Sequence, residues 1–196
     1  MITSQEVSRG IFGAWMLARL DAKGIFLFDN TVEAFWRSFW AAGISLPLYA
    51  IYLLLEDSGM VIGVSAGKAF LIHSIGYVIG WFAFPFAMFY IARMFDRQQW
   101  YCRYIVAYNW AVILQLTLTV LVRSIIATGL LSSPLGLFLA VAALLVILIY
   151  KGFIAHVALQ ATVPGAVGIV VLDFVLSLVL EDLERWLLKA QYVTSG

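Results

Sequence analysis

Charge is scarce in this chain of 196 residues: 12% is Asp, Glu, Lys or Arg, against 64% from the hydrophobic set. Soluble domains carry about 25% charged and about 45–50% apolar residues, so an ordinary water-soluble domain is excluded. Cysteine occurs once, as Cys102, which removes any intramolecular disulfide. It stands beside Trp100, Tyr101 and Arg103, where a membrane-proximal thiol is open to acylation; an inert interfacial cysteine is the simpler reading. Histidine occurs twice, at His73 and His156, and no Cys/His cluster has the spacing of a zinc site. Neither a metal nor a cofactor is expected. The net charge of +1 gives no general attraction to nucleic acid. Hydrolase, zinc-protease and P-loop motifs and paired catalytic carboxylates are missing, so enzymatic activity is not expected. No segment between apolar blocks exceeds about 35 residues, and segments below about 40 seldom fold alone. A cleaved signal peptide is not expected either, because no short apolar run with a small-residue cleavage site follows the polar start.

What the chain does have is long apolar blocks, at about 34–55, 69–94, 104–122, 135–156 and 164–180. Each approaches the ~20 residues that cross a bilayer. The expectation is an all-α, polytopic transmembrane helical bundle of about five spans, over residues 31–190, with 191–196 as a tail. Residues 1–30 read as an amphipathic segment in the membrane interface. There Thr3-Ser4-Gln5-Glu6 fits a capping box, and Val7, Ile11, Ala14, Trp15, Leu17 and Ala18 gather on one side. Ser8, Arg9 and Arg19 lie opposite. A helix that short cannot span, and Gly24 is placed to end it. Asn30 or Asp29 is expected to cap the next helix, with Glu33 and Arg37 paired at i, i+4. Pro47 and Pro85 fall inside spans, and Glu56, Asp57 and Gly59 close the first. The segments Ser124–Pro134 and Lys151–Val163 leave four or six spans open. The charged run Glu181–Arg185 reads as the last helix emerging into the headgroups.

With five spans, Arg9, Arg19, Lys23, Arg37, Arg93, Arg97, Arg103 and Lys151 fall on one side, eight against four. Lys68, Arg123, Arg185 and Lys189 fall on the other. The positive-inside rule then makes the N-terminus cytoplasmic. No internal repeat of the transporter kind is visible.

Within the spans one acidic residue falls near the midplane, Asp173, where an ionised aspartate costs roughly 2.5–3.5 kcal/mol on translocon scales. It reads either as a proton or cation site or as a neutral acid bonding between helices. Counting depth from Tyr104 and from Pro164 puts Gln115 level with it, and a contact is expected, direct or through Asn109 and water. Gly76 and Gly80 form a G-x-x-x-G that lets another helix approach, in this chain or in a second copy. The aromatic run Trp81–Phe86 with Phe89 and Tyr90 reads as packing core. His73 and His156 fall on opposite sides, each read as satisfied locally. The fourth block, Leu135–Ile149, has no polar side chain and lines no aqueous path.

The run Tyr150-Lys151-Gly152-Phe153-Ile154-Ala155-His156-Val157-Ala158-Leu159-Gln160, followed by Ala166, carries a resemblance together with Tyr104–Trp110. It is similar to the Yip-type family of five-span membrane proteins, in its bacterial members, over about Phe35 to Leu180. The resemblance implies five helices and a cytoplasmic N-terminus. Eukaryotic relatives are associated with vesicle traffic and Rab-type GTPases. Their acidic N-terminal motif is absent here, so GTPase binding is not carried over.

Taken together, these features make the expected protein a non-enzymatic, multi-pass inner-membrane protein with an assembly, lipid-organising or accessory role. Membrane lipids, a second copy or a larger membrane complex would be its partners. The alternative is a small transporter or channel using Asp173 with Gln115 and Asn109. An intramembrane lipid-modifying enzyme would need a histidine at the depth of Asp173, which neither His73 nor His156 has.

Overall fold

The computed structural model describes residues 2–56 and 65–194, so Asp57 and Gly59 lie outside the described residues. Its helices are α1 (Ser4–Ala18), α2 (Val32–Ser38), α3 (Trp40–Glu56), α4 (Ala66–Met94), α5 (Tyr101–Ala127), α6 (Ser133–Ala158) and α7 (Val163–Thr194), with short 3-10 turns at Ala22–Leu27 and Gln98–Trp100. No strand occurs among the described residues. Five stretches are long and apolar enough to cross a membrane: Val32–Glu56, Gly67–Met94, Gln98–Ala127, Ser133–Ala158 and Val163–Leu188. α5 runs on to Ala127 and α6 starts at Ser133, with Pro134 in its first turn where its missing N–H costs nothing. The connector between them is therefore too short for an extra span. α7 continues without a break through Glu181–Arg185.

The bundle is organised around α5. More than half of its most apolar stretch is buried (56%), against 11% for α6, so α5 is the axis and α6 a lipid-facing helix. Tyr104, Ile105, Ala107 and Ala111 of α5 form the core with Phe84 and Met88 of α4 and Ile154 and Ala155 of α6. The first span is interrupted at Phe39, between α2 and α3. Thr31, not Asn30 or Asp29, caps α2 by accepting from the Ala34 amide at 3.1 Å. Asn30 is engaged elsewhere: its side-chain amide donates to the Gln99 carbonyl at 2.6 Å, and its Oδ1 accepts from the Arg103 amide at 3.0 Å. It thus ties the start of the first span to the start of the third. Asp29 pairs with Arg9 at 2.8 Å.

α1 forms with the expected capping box, and its small residues pack it onto the bundle. The backbone at Gly10 lies flat on the Trp110 indole, where an added Cβ would stand 2.4 Å from ring carbons. Two turns of contact follow: Ala14 and Leu17 are fully buried, and the Tyr150 hydroxyl donates to the Ala14 carbonyl at 2.7 Å. Trp110 and Tyr150 each lie about 12–14 Å along α5 and α6 from the end those helices share, at 1.5 Å per residue. Because Gly10 and Ala14 meet partners at one depth, α1 crosses these two helices instead of running alongside them. Phe12, Trp15 and Leu20 point outward from it. Gly24 does not end α1; Leu20 takes the left-handed conformation there (φ 58°), while Gly24 approaches the Gly13 carbonyl too closely for a side chain.

Candidate functional site

Asp173 sits at the end of the third turn of α7 and is 3% exposed. Its carboxylate is fully engaged: Lys151 of α6 donates to Oδ2 at 2.5 Å, and the Tyr108 hydroxyl of α5 donates to Oδ1 at 2.7 Å. All three residues lie about 10–15 Å from the same end of their helices, so three spans deliver them to one level. The pair satisfies the requirement that a buried charge be compensated. The Tyr108 ring also stacks on Phe84 (centroids 4.5 Å apart) and lies 5.7 Å from the Lys151 ammonium. Phe84 is itself buried, so the tyrosine that orients Asp173 is held by the core.

Gln115 and Asn109 are not the partners of Asp173. α5 starts at Tyr101, three residues before the point assumed from hydropathy. Gln115 therefore lies about 21 Å along its helix while Asp173 lies about 15 Å along α7. Asn109 faces another way, donating to the buried Ser38 hydroxyl at 2.8 Å. Lys151, counted from the sequence among the charges at the helix ends, lies inside the span instead, because α6 continues to Ala158. It is the functional candidate the sequence reasoning missed. The available signal was a basic residue with seven more helical residues after it.

Above the pair lies an open-sided cavity of about 520 Å³ lined by residues of α3, α4, α5, α6 and α7. Lys151 and Tyr108 form its floor, and Gln115, Ser177, Tyr49, Tyr52, Tyr77 and Trp81 line it above them. Asp173 stands behind Lys151, off the cavity surface. The Gln115 side-chain nitrogen is buried without a hydrogen-bond partner. Wall residues are fixed by their own bonds: Tyr77 donates to the Ala42 carbonyl at 2.7 Å and packs 4.5 Å from Tyr49, centroid to centroid. At the far end Glu56, Glu181, Glu184, Arg185 and His73 form a rim. There Arg185 bridges Glu181 and Glu56, and Arg123 approaches Glu56 at 3.7 Å.

The G-x-x-x-G face divides between these features. Gly76 accommodates the Glu184 side chain of α7, whose Oε1 would stand 1.7 Å from an added Cβ. That carboxylate reaches His73 Nδ1 at 3.3 Å. Gly80 has nothing within 4 Å of such a Cβ and opens onto the cavity. The two glycines shape the site and its rim within one chain. His156 meets the Ala161 carbonyl at 2.7 Å, and no group of three metal-ligating side chains occurs among the described residues.

Comparison with known proteins adds no relative: no protein-family model matches the chain, and no curated protein or solved structure is similar to it.

Proposed function

We propose that the protein is a non-enzymatic, multi-pass inner-membrane carrier, with its N-terminus in the cytoplasm and Lys151–Asp173 as the pair that handles a proton. The observation that carries this reading is the cavity that ends on Lys151, the partner of Asp173. A charge pair built only to hold helices together needs no access. Here Lys151 lines a space of about 520 Å³ that runs to a rim of acidic and basic side chains. Intramembrane ionisable residues facing such a space mark ion and substrate pathways.

The assembly reading rested mainly on the G-x-x-x-G face. With Gly76 filled by Glu184 and Gly80 turned to the cavity, that face is used within the chain. A lipid-organising role keeps one observation in its favour, the outward Phe12, Trp15 and Leu20 of α1 together with Phe26. These serve equally to seat a carrier. The Yip-type resemblance fits the five spans and leaves the activity open.

Reconstitution in liposomes holding a pH dye tests the carrier. A panel of water-soluble carboxylates, amino acids and amines is added outside, with protein-free liposomes as the control for passive permeation. At least one solute is expected to change internal pH in a protein-dependent way, and Asp173→Asn to abolish that change. If no solute does so, or if the folded variant transports as the wild type, the carrier reading fails.

A further inference from the structure

We propose that the cavity takes up an organic carboxylate together with one proton, the carboxylate held by Lys151 and the proton by Asp173. This deepens the carrier reading by naming the ligand chemistry, and it starts from the floor's spare hydrogen-bonding capacity. Lys151 has three N–H donors and uses one on Asp173 Oδ2. The Gln115 nitrogen is unpartnered too, but it is buried away from the cavity surface and is not open to a ligand there. The neighbouring hydroxyls are already committed, Tyr108 to Asp173 Oδ1 and Ser177 to the Asp173 carbonyl. The two spare donors of Lys151, which lines the cavity, call for an acceptor ligand, and a carboxylate offers two oxygens to them. The aromatic walls suit the apolar body of an organic acid, and the volume lies in the range of about 300–1,000 Å³ typical of small-molecule sites.

Charge then dictates the proton. Lys151 and Asp173 sum to zero. A carboxylate arriving alone would leave one uncompensated negative charge in a poorly solvated site, which is strongly unfavourable. A proton from water on Asp173 restores neutrality. It binds Oδ2, the oxygen Lys151 gives up on turning to the ligand, while Tyr108 stays on Oδ1. No covalent bond of the ligand is made or broken. Around Asp173 the other titratable groups are Tyr104 beside Tyr108 on α5, and Tyr49, Tyr52 and Tyr77 on the walls from α3 and α4. Glu181, Glu184 and His73, with Glu56, Arg123 and Arg185, lie at the rim, about 12 Å or more along α7. Asp173 is thus the carboxylate next to the incoming charge.

The test is equilibrium binding to the full chain in phosphatidylcholine nanodiscs, with empty nanodiscs as the control. Benzoate is the water-borne probe, decanoate the membrane-borne one, and benzylammonium the cation of similar size. A carboxylate is expected to bind one to one with uptake of about one proton, its affinity falling about tenfold per pH unit across pH 6–8. Binding of benzoate assigns a water-borne acid; binding of decanoate alone assigns a fatty acid. Lys151→Gln should weaken binding more than tenfold and Lys151→Arg should restore most of it. Asp173→Asn should bind without proton uptake and without pH dependence. Should Lys151→Gln not fold, Asp173→Asn carries the test, binding the carboxylate with proton uptake lost. Binding of benzylammonium but neither carboxylate, carboxylate binding without proton uptake, or uptake unchanged in Asp173→Asn overturns the proposal. Nanodiscs enclose no compartment, so proton-linked binding without liposome flux would sink the carrier reading alone.

Discussion

Lys151 Nζ lies 2.5 Å from Asp173 Oδ2, joining two charges 22 residues apart on consecutive helices. The relationship changes what each residue means. Alone, Asp173 would be a single acid in an apolar span, and Lys151 a topological marker. Together they form a neutral pair whose members are each too costly to leave unpaired, with Lys151 on the floor of a cavity and Asp173 behind it.

Removing one member should cost far more than removing both. Lys151→Met or Asp173→Leu leaves a buried charge without its partner, and each is expected to destabilise the protein by about 3–5 kcal/mol. The double variant replaces the pair by apolar side chains of similar bulk and should recover most of that loss. Equilibrium unfolding of the four proteins in one detergent gives the coupling directly. Additive losses would mean that the two charges do not depend on each other.

The glycines of α4 make a second contrast. Gly76→Ala places a methyl where Glu184 Oε1 lies, so that carboxylate must leave His73. Gly80→Ala meets no atom within 4 Å, and Ala favours a helix over Gly by up to about 1 kcal/mol. The expected result is a Gly80→Ala protein at least as stable as the wild type, and a Gly76→Ala protein whose His73 resonance shifts in NMR. Equal destabilisation by both would restore the view that the two glycines jointly seat a helix backbone.

Much of this architecture was legible because bilayer-length apolar runs are a direct signal. Local pairs were legible for the same kind of reason: Thr3 with Glu6, and Glu33 with Arg37 at 3.1 Å, are three and four residues apart on one helix. Asp173 stood out because a lone acid in an apolar run is expensive. Its partner did not, since depth matching tolerates little error. Three extra residues at the start of α5 shift Gln115 by about 4.5 Å, and Lys151, although inside the expected span 135–156, is counted with the end charges because it falls in that span's last turns. Asn30 illustrates the remaining gap. Its bonds to Gln99 and Arg103 cross 69 and 73 residues, and no local pattern encodes them.

The docking of α1 should depend on pH through Glu6. Its carboxylate accepts from the Thr3 backbone amide at 2.8 Å and the Thr3 hydroxyl at 2.9 Å, and it pairs with Arg37. The Thr3 amide bond first, then the hydroxyl and the arginine, hold the Glu6 pKa below its ordinary value against a smaller opposing effect of burial. A lowered folded-state pKa means stabilisation that is fully present above the unfolded value and lost as pH falls through the folded one. The amides of the first turn of α1 should therefore exchange slowly at pH 7 and much faster at pH 3, after correction for intrinsic rates. Glu6→Gln should flatten that difference. An unchanged profile in the variant would assign the pH response to another group.

Orientation can be read from the chain's one cysteine. With Lys151 moved inside the bundle, Arg9, Arg19, Lys23, Arg37, Arg93, Arg97 and Arg103 remain at the end where α1 docks, seven against Lys68, Arg123, Arg185 and Lys189. The asymmetry survives the correction, so the positive-inside rule still predicts that this end faces the cytoplasm. Cys102 lies in the first turn of α5 at that end, half-buried beside Arg103. A membrane-impermeant maleimide should modify it in inverted vesicles and spare it in right-side-out ones. Because partial burial slows labelling, Gln98→Cys in a Cys102→Ser background provides a more exposed reporter of the same end, and Ser132→Cys reports the opposite end with the reverse pattern. Labelling of Gln98→Cys from outside, with Ser132→Cys protected, would invert the bundle and turn the cavity rim toward the cytoplasm.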